Sequence, residues 1–427
     1  MKIKLILLVT SLALNGAIHP ATAQDNPPPN QPPRQHDGPG KYTIAQATSD
    51  RAQLNTIAFD SLAFLTGGFN EDTFLPPGKI SDFFGFQNMR DVDGALLGHN
   101  TDFLTRIANN VLTVLNDEQK QQLVELGKSQ APQISNLALQ RLPLIQAFCR
   151  NLAGDFPAAS QSLNREAVMK YTSGIFELSG KLAFQRAEVY GKIVSSLTSA
   201  QKADFAKLKF GDSRTWPDVA ETDALDKRTV SHPVHVAMMT YASEFFSWYA
   251  GSVESDTYFC PEGHGTYFGS FYMKDAPAVH QKNYSISTAL TGDSGEAFLN
   301  TLNPTQREQI TSLVDLQRQD LQDIVTTRRA VATELRQFMS GSSANREKVL
   351  KLCQHYGELD GELSYYYATH FAEVNKTLTT VQRAALKKLR GIEGFSAKSP
   401  FVYADPIASP TIPNTDFLFT PGTENTR

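Results

Sequence analysis

Cysteine is scarce in this chain: Cys149, Cys260 and Cys353 are the only three among 427 residues. So few permit at most one internal disulfide and exclude a disulfide-scaffolded fold, which leaves packing to supply stability. No C-x-x-C pair occurs, which removes covalent c-type haem attachment and the common zinc-finger spacings. Charge of one sign is missing too. The 40 basic and 44 acidic residues are interspersed without a basic block, and nothing in that balance supports nucleic-acid binding. Past the N-terminus, no uncharged apolar run approaches the roughly 20 residues that cross a bilayer, so no transmembrane anchor is expected.

What is present begins with "MKIKLILLVTSLALNGAIHPATAQ". Lys2 and Lys4 precede an apolar run from Leu5 to Ile18, and Ala21-Thr22-Ala23 gives a small-x-small cleavage pattern. Residues 1–23 therefore read as a signal peptide cut after Ala23, and the mature protein as periplasmic or secreted. Residues 24–41 are Pro-rich and polar, a linker that cannot bury enough apolar surface to fold.

One phrase recurs four times: "LNDEQKQQLVEL" from Leu115, "LTSAQKADFAKL" from Leu197, "LNPTQREQITSL" from Leu302 and "LTTVQRAALKKL" from Leu378. Each is a helix start. The Asn or Thr side chain accepts from the backbone three residues on, and the Gln reaches back, forming a capping box. Pro304 directly after Asn303 suits the first helical position. After Asn303 the apolar positions Ile310, Leu313, Leu321, Ile324, Val331, Leu335 and Phe338 keep helical spacing. They predict one helix of about 35 residues, roughly 50 Å long, ended by Gly341. The stretch after Asn116 is similar but interrupted by Pro132 and Pro143.

The phrases are linked. An offset of 181 residues pairs Leu197 with Leu378, Asn164-Arg165-Glu166 with Asn345-Arg346-Glu347, and Gly180 with Gly361. Leu115 pairs with Leu302 at 187, which places six extra residues in "NLAGDFPAASQSL". The expectation is an all-α fold of two tandem long-helix repeats, of helical-hairpin or bundle type, with an irregular insert and extended termini. The divisions are 42–99 for an N-terminal helical and loop segment, 100–210 for repeat 1, 211–288 for the insert, 289–392 for repeat 2 and 393–427 for an extended C-terminal strap.

Paired Leu-Thr-x-x-Gln phrases on an exported helical chain resemble the Spy/CpxP-type LTxxQ family of periplasmic proteins. Carried by Leu115, Asn116 and Gln119, by Leu197, Thr198 and Gln201, and by their counterparts after Leu302 and Leu378, the resemblance covers about half the chain. Two phrases carry Asn in place of Thr. It implies cradle-shaped helical dimers, with activity as stress-induced chaperones, envelope-stress regulators or metal sensors. Polypeptide clients or envelope proteins are then the expected partners, and a non-enzymatic role is expected.

Val230 to His280 stands apart. Gly263, Gly265 and Gly269 alternate with Tyr267, Phe268, Phe271 and Tyr272, which reads as an irregular loop or short hairpin wedged by aromatics. His232, His235, Cys260 and His264 form a nitrogen and sulfur set suited to zinc or copper, the alternative being ordinary occupants of a buried loop. The same Cys260 with His264, His280 or His232 is a candidate nucleophile and base. Asp91, Asp93, His99 and Asp102 hint at a calcium loop but lack its closing bidentate Glu, and read as caps and turns. The closing Pro-rich segment carries Phe401, Tyr403, Phe417 and Phe419, and is expected to dock aromatics on the helices.

Overall fold

All four Leu-polar-x-x-Gln phrases open a helix. In this computed structural model Asn116 Oδ1 accepts from the Gln119 N–H at 2.9 Å, and Gln119 Oε1 accepts from the Asn116 N–H at 3.0 Å. Thr198 with Gln201, Asn303 with Gln306 and Thr379 with Gln382 make the same reciprocal pair. Each glutamine therefore sits in the first turn, satisfying two backbone groups that a helix end leaves open. The preceding leucines, Leu115, Leu197, Leu302 and Leu378, are all buried.

The structure describes residues 44–66, 102–140, 142–158, 160–209, 215–220, 224–225, 227–258, 294–390, 401–402, 405–406, 411–412 and 414–421, all within one compact unit. Their helices are α1 (Ile44–Ala47), α2 (Asp50–Thr66), α3 (Asp102–Val114), α4 (Asp117–Gln140) and α5 (Leu142–Ala153). There follow α6 (Arg165–Ser196), α7 (Ser199–Lys207), α8 (His232–Ala250), α9 (Val253–Tyr258) and α10 (Ser294–Thr301). The last are α11 (Pro304–Thr311), α12 (Leu313–Leu316), α13 (Arg318–Leu335), α14 (Arg346–Thr377) and α15 (Thr380–Arg390). Among the described residues, β structure is limited to a two-residue antiparallel ladder, Phe401–Val402 with Asp405–Pro406, and a bridge between Leu163 and Phe419. The fold is all-α.

At the centre α6 and α14, each of 32 residues, lie against one another over their N-terminal halves. They run antiparallel: Arg165 meets Glu362 near one end, and Gly180 meets Cys353 further along. The backbones come unusually close. A Cβ on Gly357 would lie 2.7 Å from Ser173 Cα and from the Thr172 carbonyl oxygen, and one on Gly180 would lie 2.4 Å from Cys353 Sγ. Contacts interchange under the 181-residue offset, since Gly180 faces Cys353 while Gly361 faces Thr172. Burial pushes the Cys353 thiol well above its ordinary range.

The flanking helices cross over. Helix α8 packs on α3 and α4, whereas α2, from the start of the chain, packs on α10, α14 and α15. Two expectations need correction. Residues 232–250, read as part of an irregular loop, form α8, because Pro233 occupies its first turn and no glycine intervenes before Gly251. The single helix predicted after Asn303 is divided into α11, α12 and α13 at Ser312 and Gln317, whose backbones stay in the helical region at φ −63°, ψ −22° and φ −84°, ψ −7°. There the Thr311 and Ser312 hydroxyls donate to carbonyls three residues back, and the fully buried Gln317 side chain is held by Gln53 and Tyr367. Gly341, at φ 75°, ends the run as expected. Pro132 does not interrupt α4, for it lies on an exposed face with Lys128, whose freed carbonyl can reach water.

The glutamines do more than cap. Gln201 Nε2 donates to Gln119 Oε1 at 2.7 Å and to the Val114 carbonyl at 2.9 Å, while Gln119 Nε2 donates to Ser196 Oγ at 2.9 Å. In the second half Gln382 Nε2 donates to Gln306 Oε1 at 2.7 Å and to the Thr301 carbonyl at 3.0 Å, and Gln306 Nε2 to Thr377 Oγ1 at 3.1 Å. A glutamate would cap as well but could not donate. Gln201→Glu is thus expected to keep its capping box yet cost about 1–3 kcal/mol through two lost donors, read as a lower urea midpoint. An unchanged midpoint would show that the clasp contributes nothing.

Candidate functional site

Of the four candidate metal ligands, only the His235 side chain lies among the described residues. Cys260 and His264 lie outside them, as do His280, Asp91, Asp93 and His99. His232 starts α8, and His235 is buried one turn further along. Among the described residues no group of three or more His, Cys, Asp or Glu could hold a metal ion.

Three other constellations stand out. The first fills the core between α4, α6 and α8. Arg186 and Glu244 form an ion pair at 3.2 Å with no exposure on either side chain. Gln130 Oε1 accepts from Arg186 Nε at 3.0 Å and from the Tyr241 hydroxyl at 2.8 Å, and Tyr190 donates to Glu244 at 2.9 Å. Arg186 also lies over the Tyr241 ring. Burial raises the Glu244 carboxyl above its ordinary value, with Arg186 and Tyr190 pulling it back. Each member is held by another, so the network fixes how three helices pack.

The second anchors α9, which directly precedes the Cys260 segment. Arg336 grips both oxygens of Asp256, and Arg328 donates to the carbonyls of Thr257 at 2.9 Å and Asp256 at 3.0 Å and to the Tyr356 hydroxyl at 3.0 Å. Burial outweighs the two arginines and pushes Asp256 from 3.8 to about 6. None of these charges was legible as a site. The available signal was a lone charge inside an apolar register, as with Glu244 in "SEFFSWY".

The third is the seat of the C-terminal segment. Residues 415–420 lie against α5, the loop segments 154–158 and 160–164, and the start of α6. The Asn164 N–H donates to the Leu418 carbonyl at 2.8 Å and the Thr420 N–H to the Ser162 carbonyl at 3.0 Å. Arg150 donates to Thr415 Oγ1 at 2.9 Å and Asp416 Oδ1 at 2.8 Å, and covers the Phe419 ring. Leu418 and Phe419 are buried, as the strap reading expects of Phe419, with Phe156 edge-on to the latter. Phe417 is half exposed, its ring 5.5 Å from that of Tyr171. Tyr403 lies outside the described residues. The seat binds main chain and side chain of an extended peptide.

Comparison of the chain with protein-family models, with curated proteins and with solved structures returns no match.

The Asp256 cluster has a pH signature. Its carboxyl holds a proton more tightly folded, at about 6, than unfolded, near 3.8. Between those values the native state carries the extra proton, so this group's contribution is full at low pH and is lost as pH rises through 6. The shift corresponds to about 3 kcal/mol at most. The unfolding free energy of the native chain, less that of Asp256→Asn, is expected to decline from pH 4 to pH 7 in urea titrations. A difference flat with pH contradicts the assignment.

Proposed function

We propose that this is a non-enzymatic helical protein working outside the cytoplasm, where it binds extended polypeptide on its helical surface in the manner of the LTxxQ proteins it resembles. The observation that carries this reading is the pairing of the four phrases into two equivalent clasps, Gln119 with Gln201 and Gln306 with Gln382. Repetition of whole hydrogen-bond sets, down to Ser196 and Thr377 as matching acceptors, supports an internal duplication. Under that duplication the α6–α14 contact is a self-complementary interface of the kind found in twofold dimers, held within one chain. Helices α2 and α8 would be counterparts, each lent to the other half, which is how swapped copies interlock. The C-terminal segment supports the binding role, since an extended peptide is already accommodated by backbone pairing, a cation and an aromatic seat.

The purified protein is expected to suppress light scattering by a chemically denatured client at near-equal molar ratio. Undiminished scattering at tenfold excess contradicts the proposal.

A further inference from the structure

The two long helices begin alike but are completed differently. At α14 the Asn345 N–H donates to Glu334 Oε2 at 3.4 Å, and the same carboxylate pairs with Lys348. At α6 the Asn164 N–H instead donates to a main-chain carbonyl, that of Leu418. Under the 187-residue offset the counterpart of Glu334 is Ala147, which has no carboxylate to offer. One half closes this position with its own side chain, and the other leaves it to an incoming peptide.

The seat also discriminates. It reads an acid through Arg150, leaves Phe417 half exposed beside Tyr171, then buries an aliphatic and an aromatic side chain in succession. Two backbone hydrogen bonds flank the Leu163–Phe419 bridge and add affinity without reading sequence. Arg150 is itself held by Asp155 at 3.1 Å, so the cation is positioned before the peptide arrives.

We propose that the groove formed by α5, the loop segments 154–158 and 160–164, and the start of α6 is a recognition site for extended polypeptide segments of the pattern acidic–any–aliphatic–aromatic. The chain's own Asp416-Phe417-Leu418-Phe419 is its resident occupant. The inference deepens the polypeptide-binding reading and rests on it, by naming the place and the sequence class. A tethered occupant acts at an effective concentration on the order of 1 mM, so the resident tail excludes weak sequences and admits those that bind tighter or at several points.

The test uses the full chain and a fluorescent synthetic peptide of residues 411–421, read by anisotropy. The peptide is expected to bind a chain carrying Asp416→Ala and Phe419→Ala at least about tenfold more tightly than the native chain, whose tail competes. Adding Arg150→Ala to that chain is expected to abolish the gain, and a peptide carrying the two tail substitutions is expected not to bind. Should the double variant lose its helical circular dichroism, Asp416→Ala alone serves, since it leaves Leu418 and Phe419 in place, with a gain of about threefold expected. Equal binding to native and tail-substituted chains, or binding indifferent to Arg150→Ala, overturns the proposal. So does a native dimer that Phe419→Ala converts to monomer, which would make the occupant a second copy's tail. Client protection without peptide binding sinks the groove and spares the broader reading; peptide binding without client protection does the reverse.

Discussion

The close antiparallel crossing of α6 and α14 is the constraint on which the other contacts depend. Where Gly357 meets the backbone of Ser173 no side chain separates the helices, at Gly180 only the Cys353 side chain does, and Ser173 Oγ donates directly to the Gln354 carbonyl at 2.9 Å. Packing this tight cannot slide by a fraction of a residue without overlap. It therefore sets the level of everything attached. The clasp of Gln119 and Gln201 forms at the C-terminal end of α6, and that of Gln306 and Gln382 at the C-terminal end of α14. Because the pair is antiparallel, the two clasps fall at opposite ends of the crossing.

Polar groups specify the arrangement that apolar burial drives. A buried ion pair such as Arg186 with Glu244 adds little net stability over apolar residues of similar size, yet breaking one partner leaves an uncompensated charge. Its role here is to make one packing of α4, α6 and α8 permissible and others costly. Gln130 shows the economy of the scheme, as it accepts from Arg186 and Tyr241 while donating to the Leu182 carbonyl at 3.0 Å and to Gln185 at 2.9 Å. Its counterpart at the 187-residue offset, Gln317, is equally buried and joins Gln53 of α2 to Tyr367 of α14. One amide at each place joins helices that are distant in sequence.

The helix starts were legible because a capping box is local: four residues contain both donors and both acceptors. The all-α class followed from period and composition for the same reason. What escaped the sequence was non-local. The capping glutamine amides looked finished within their own turn, and only the fold shows that their free N–H groups bind the partner phrase. Helix α8 was hidden by its own aromatics, since a helix buried on most faces carries no polar stripe to mark its period. The division at Gln317 goes with tertiary hydrogen bonds to Gln53 and Tyr367, which no window along the chain contains. Among the site candidates, histidines and a cysteine drew attention by chemistry. The seat of the C-terminal segment rests instead on Arg150, Asn164 and Phe419, which are far apart in sequence and ordinary one by one.

The most direct measurement is native-state hydrogen exchange across the two long helices. If their crossing organises the molecule, amides near Ser173–Leu182 and Gln354–Leu363 should exchange only through global unfolding, with one shared free energy and one shared denaturant slope. Exchange of either helix at a distinctly lower free energy, while the other stays protected, would contradict the account.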